Sequence, residues 1–313
     1  MLRQAQHERN QLVTVRPEPV EGFIQRFLSN SRNNQGLFMR QSNIMPGFRP
    51  ALGYTLLYLG LVVLIPLSTL VFKSFQLSWD DYVKVITHAR VVAAFRVSFS
   101  TALGAAVIAS FFGFIIAWVL VRYPFPGKKF IDALIDLPFA LPTAVAGIVL
   151  ATIYQPSGFV GKLVLELTGV QIAYKPLGIV VALIFISIPF VVRTVEPVLQ
   201  EFDATMEEAA SSLGATRLQV FVQVIFPNIF PALLTGFALA FARGVGEYGS
   251  VIFIAGNLPY VSEILPLMII TRLEQYDIPG ATAIALTMLI ISFLLLLTIN
   301  LLQMWVRKRS GQL

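Results

Sequence analysis

The chain has 313 residues, 56% of them hydrophobic and only 13% charged, and it contains no cysteine. That balance excludes a soluble globule, and the missing thiols exclude disulfides and thiolate metal sites. The two histidines, His7 and His88, are too few for an imidazole metal centre, and the net charge of +6 fits the flanks of membrane spans better than a nucleic-acid surface.

Residues 1–44 are polar, scattered with Arg and Asn, and lack the apolar run of a signal peptide. They read as a disordered tail. The native start is expected at Met39 or Met45, which lie close to the first span. Six apolar runs follow, at 51–72, 97–121, 137–154, 177–192, 229–255 and 281–306. Each approaches the roughly 20 residues needed to cross the hydrocarbon core. The runs are continuous rather than alternating, so they predict helices and exclude a β-barrel. The fold class expected is an all-α, multi-pass membrane protein with six transmembrane helices.

Between the first two runs, the stretch from Trp79-Asp80-Asp81 to Arg96 reads as an amphipathic helix resting on the outer surface. Residues 123–129 form a tight turn with a basic end, an orientation anchor. Residues 257–280 form a turn-rich connection too short to span, and a candidate docking surface. An even number of spans puts both termini on one side. The Arg307-Lys308-Arg309 cluster behind the last span assigns that side to the cytoplasm. The domain division is therefore a tail at 1–44, a first helix and periplasmic segment at 45–96, a five-helix core at 97–306, and a basic tail at 307–313.

No Gly-rich run ends in Gly-Lys-Ser or Gly-Lys-Thr, so no nucleotide-binding loop is present, and no Ser, His and carboxylate pattern points to hydrolysis. The chain is expected to be non-catalytic and free of metal and cofactor. The most specific signal is the loop at 201–227. Glu201 to Gly214 predicts a short isolated helix, with Thr205 and Glu208 at the spacing of a capping box and Gly214 as a left-handed stop. Asp203, Glu207 and Glu208 set negative charge at its start, which the helix dipole favours. A second helical stretch, 215–226, is expected to stop at Pro227.

Glu208-Ala209-Ala210, then Gly214, then Val224-Ile225-Phe226-Pro227 resembles the EAA loop of ABC importer permeases, with Val224 and Phe226 as conservative departures. In that family the loop docks in a groove of the ATPase subunit. The resemblance assigns Glu208, Ala209, Ala210, Gly214 and Pro227 to ATPase coupling, against the plainer role of Glu208 as a capping residue. The stretches 137–147, 188–193, 246–249 and 273–277 are similar to the T subunits of bacterial sulfate/thiosulfate ABC importers. The likeness runs from about Pro46 to Trp305.

That resemblance implies the type I ABC importer permease fold, in the bacterial inner membrane. The first helix would lie outside the core and brace a second, related permease subunit. The complex would include two ATPase subunits, which use ATP and Mg, and a periplasmic sulfate-binding protein. The cargo would be sulfate or thiosulfate, and membrane lipid would surround the spans. Molybdate and tungstate permeases share the Gly-Glu-aromatic-Gly stretch and stay open as an alternative. An ion-coupled secondary transporter or channel is the further alternative; such proteins often show inverted repeats and several intramembrane carboxylates. Here no repeat is found, and only Glu247 lies deep in a run.

Arg243 and Glu247 fall in the fifth run. An ionisable group at membrane depth costs about 2.5–3.5 kcal/mol on insertion scales. At this spacing the two share a helix face and neutralise each other. Two readings stay open: a buried ion pair that locks the bundle, or a translocation path. In the second, Arg243 offers positive potential to a dianion and Glu247 keeps it from binding too firmly.

Overall fold

The computed structural model describes residues 48–309, with side chains described for 50–304. The tail expected at 1–44, its two candidate start sites and the last four residues lie outside the described residues. Among the described residues every regular element is a helix.

Helix α1 (Phe48–Leu59) runs through a π turn at Gly60–Leu64 into α2 (Ile65–Ser74). In the turn Ile65 N–H donates to Gly60 O, five residues back. The next residue, Pro66, has no N–H, and the wide turn accommodates that missing donor. The chain as far as Pro66 clusters as one unit, in which Tyr54, Leu57 and Leu61 are exposed.

Leu67 onward forms the second unit. Helix α3 (Trp79–Thr87) starts at Ser78, whose Oγ accepts the Asp81 N–H at 3.2 Å. The expected continuation to Arg96 does not occur. His88 turns extended, with ψ 132°, and Ala89 opens α4 (Ala89–Arg122). At 34 residues α4 is about 50 Å long, well beyond the hydrocarbon thickness of about 30 Å. Arg90 and Arg96, placed outside the span by their charge, lie on its first turns. Arg90 is tolerated there because Glu263 pairs with it through two bonds, of 2.7 and 2.8 Å.

The third run is broken. Helices α5 (Lys128–Ile135) and α6 (Leu137–Ala140) end at Leu141, which is forced extended by Pro142. Helix α7 (Thr143–Tyr154) has only 12 residues, and α8 (Phe159–Thr168) follows at 45°. The described residues hold five helices long and apolar enough to cross a membrane, and six when this bent pair counts as one span.

Helix α9 (Pro176–Gln200) leads through α10 (Ala204–Ser212) and α11 (Arg217–Val220) into a π turn at Phe221–Ile225 and then α12 (Phe226–Val245). Pro227 does not stop the helix as expected. Phe226 N–H reaches Phe221 O, again five residues back and directly before a proline. The helix therefore continues from Arg217 to Val245. It ends at Gly246, short of the expected 255, and α13 (Val251–Ile254) is a separate turn. The connection expected to be turn-rich contains α14 (Leu265–Glu274), and α15 (Ile278–Arg309) is the last span.

Helices α4, α9 and α12 pack on one another and carry the core. Ala102, Ala105, Ala106 and Ala109 of α4 are fully buried beside Val191, Val192 and Val195 of α9. Small residues permit this closeness in a membrane, where van der Waals contact replaces hydrophobic drive. Gly236 of α12 shows how tight it is: a Cβ there would fall 2.9 Å from Val191 Cα.

Candidate functional site

The loop singled out by sequence folds into α10 and the π turn that packs against it. Its N-cap is not the Thr205–Glu208 box. Asp203 Oδ1 accepts the Thr205 N–H at 2.9 Å, and that bond holds the Asp203 carboxyl below its ordinary pKa. The capping box sits one helix later, where Thr216 and Gln219 exchange backbone and side-chain bonds at the start of α11. Glu208 is exposed and makes no side-chain bond.

The C-terminus of α10 closes as a Schellman motif. Gly214 N–H donates to Ser211 O at 3.0 Å and Ala215 N–H to Ala210 O at 3.1 Å. Gly214 takes φ +87°, a conformation that costs most L-residues about 1–2 kcal/mol. Ala210 and Ala215 turn inward onto the core, whereas Met206, Glu208, Ala209 and Leu213 face outward. Leu213 is 89% exposed, so α10 presents an apolar strip with one free carboxylate beside it.

A tether not expected from sequence fixes this helix to the bundle. Arg122, in the last turn of α4, donates to Glu207 at 2.5 Å. Its guanidinium also lies 5.1 Å from the Trp118 ring and 5.9 Å from that of Phe202, within cation–π range. Trp118 in turn meets Phe221 of the π turn edge-on at 5.5 Å, and Phe221 contacts Phe114 and Phe226. The loop residues Glu208, Ala209, Ala210 and Gly214 therefore sit on a block joining α4 to the start of α12. Pro227 lies directly after that block.

A second fastening lies at the same end. Arg193 of α9 donates to Asp136 at 2.6 and 2.9 Å and to Glu196 at 2.7 Å, and pairs with Asp132 at 2.8 Å. It pins the α5–α6 elbow to α9. Sequence position offered only a weak sign of it, a basic residue near a span end with carboxylates 57 and 61 residues upstream.

Arg243 and Glu247 do pair, but around the end of α12 rather than along one continuous helix. The Glu247 side chain is 2% exposed. One oxygen meets Arg243, and the other accepts the Ser250 N–H and Oγ–H, each at 2.9 Å. Its acceptors are satisfied, which is what burial of a carboxylate requires. Arg243 is different: its side chain remains 35% exposed.

The profile of the family described as binding-protein-dependent transport system inner membrane component matches residues 109–312. The chain is 49% identical over 267 residues to the sulfate transport system permease protein CysT of Salmonella typhimurium, covering 85% of this chain and 96% of the relative. To the protein of the same name in Escherichia coli K12 it is 50% identical over 260 residues, covering 83% and 94%. Its fold is similar to that of a bacterial ABC transporter involved in the import of the acidic polysaccharide alginate. There the TM-score is 0.65 at 14% identity, covering 89% of this chain and 98% of the other. The chain belongs to the family of inner membrane components of binding-protein-dependent transport systems.

Proposed function

We propose that the chain is the membrane-spanning permease subunit of an ATP-driven importer that carries sulfate, and thiosulfate with it, into the bacterial cytoplasm. The observation that carries this reading is the identity of about half of the aligned residues to sulfate permeases, across more than four-fifths of both chains. The complex contains a second related permease, two ATPase subunits that bind ATP and Mg, and a periplasmic binding protein that delivers the anion. Both termini face the cytoplasm, which puts α10 there too.

In this reading α10 docks in the ATPase through the strip at Met206, Ala209 and Leu213, with Glu208 at its edge. Hydrolysis on the ATPase moves α10 as a rigid body, because Asp203 fixes one end and the Gly214 motif the other. Motion passes to α4 through Glu207 and Arg122, and to α12 through the π turn beneath it. At the far end of α12, the exposed part of Arg243 offers N–H donors to a passing dianion. Glu247 cancels its excess charge, so the anion is held weakly.

Purified complex in proteoliposomes, with binding protein and internal ATP, tests the cargo. Uptake of labelled sulfate should depend on ATP and persist when molybdate is added in excess. Uptake of molybdate without sulfate would replace this reading with the molybdate alternative.

A further inference from the structure

At the end of α4 remote from α10 lies a cavity of about 190 Å³ lined by His88, Arg90, Thr271, Arg272 and Gln275 with Val91 and Met268 as its apolar floor. Its volume equals roughly six waters at about 30 Å³ each, ample for one tetrahedral oxyanion. We infer that this cavity is an outer-face subsite for such an oxyanion, formed between the first turn of α4 and the last turns of α14. The inference rests on the import reading above for its orientation and cargo, and it adds a place where the anion pauses before the spans.

The donors decide its chemistry. Arg90 spends Nε and one terminal nitrogen on Glu263, leaving the other terminal nitrogen. Arg272 spends Nη1 on Asp277 at 2.5 Å, leaving Nε and Nη2. His88 Nδ1 accepts the Arg90 N–H at 3.3 Å, so the neutral ring keeps its proton on Nε2 as a further donor. Among the described residues no carboxylate lines the cavity. Both guanidiniums are already matched by a carboxylate lying outside it, so the cavity supplies N–H donors without surplus positive charge. Such a site selects an anion by hydrogen bonding and lets it go, which transport requires.

Below the cavity the polar line continues inward. Ser98, two turns along α4 from Arg90, accepts the Leu265 N–H at 2.8 Å. Ser98 and Thr101 then share a small pocket with Glu247, the partner of Arg243. The subsite and the Arg243 pair thus lie along one stretch of α4.

The absence of cysteine makes the test direct, because Gln275→Cys places the only thiol of this chain at the cavity rim. In the full purified complex, that thiol is treated with a sulfonate-bearing methanethiosulfonate reagent and its trimethylammonium counterpart. Rates are read by intact mass of this chain and normalised to a free thiol. Sulfate should slow the sulfonate reagent with one-site saturation, about elevenfold at ten times its Kd, while chloride at matched ionic strength does not. Adding Arg272→Gln should abolish that protection, with continued labelling by the cationic reagent showing that the fold persists. Protection by chloride equal to that by sulfate, or no labelling by either reagent, overturns the subsite. Wild-type sulfate uptake is measured in parallel: intact uptake without protection removes the subsite and leaves the proposed function standing. Loss of both removes both.

Discussion

Glu207 and Glu208 are neighbours with different duties. Glu207 reaches back to Arg122, and Glu208 stays open toward solvent. Replacing Glu207 or Arg122 with Gln should loosen α10 by about 1.5–3 kcal/mol, the range for hydrogen bonds to charged groups. Sulfate uptake should fall while the ATPase still co-purifies, and the two single losses should not add in the double variant. Additive losses would separate the two residues. Glu208→Ala, by contrast, should leave α10 folded, since Asp203 supplies the cap, and should weaken only ATPase capture in a pull-down. At the end of α12, Arg243→Gln and Glu247→Ala should also differ. Glu247→Ala leaves a cation against a buried turn and strips Ser250 of its acceptor, a loss of about 3 kcal/mol at the lower end for buried pairs. It should lower the unfolding temperature of the complex. Arg243→Gln leaves a carboxylate still held by Ser250 and should cut uptake with less effect on thermal unfolding. Equal destabilisation by both variants would make the pair purely structural.

At the scale of elements, the helix stops and π turns decide how α10 is carried. Gly214→Val forces a β-branched residue into φ +87°, whereas Gly214→Asn tolerates it. Complex carrying the valine variant should hydrolyse ATP without matching uptake, and complex carrying the asparagine variant should retain most of both. Phe221→Ala removes the ring between Trp118 and Phe226, and should destabilise the unit by about 3 kcal/mol, the low end for such truncations. A melting temperature unchanged from wild type would contradict the aromatic block. Element by element, the apolar runs were legible because lipid demands continuous helices, and Gly214 because a side chain resists left-handed φ. Boundaries near prolines were not. Pro142 does break the helix, while Pro66 and Pro227 follow π turns, and local sequence carries no sign of a bond made five residues back. The pairs Arg122–Glu207 and Arg90–Glu263 join residues 85 and 173 positions apart, so charge alone misplaced Arg90 outside its span. The cap moved from Thr205 to Asp203 because both residues fit an N-cap, and only backbone geometry separates them.

On the scale of the whole molecule, this subunit handles two events at opposite ends of α4, about 50 Å apart by its length. At one end α10 presents Ala209 and Leu213 to whatever docks there. At the other lies the cavity beside Arg90 and Arg272, which under the proposed function faces the incoming anion. A packed core of α4, α9 and α12 connects them, with alanines and Gly236 leaving little slack. Transport under this account is a rigid-body event, so local damage at either end should appear at the other. The most direct test of coupled import measures ATP hydrolysis and labelled sulfate uptake together, in proteoliposomes holding wild-type or Leu213→Asp complex. Wild type should hydrolyse ATP faster when sulfate-loaded binding protein is present and take up sulfate in proportion. Leu213→Asp, with a charge in the docking strip, should lose ATPase binding, the stimulation and the uptake together. Wild-type stimulation and uptake that survive intact in Leu213→Asp would contradict coupling through α10.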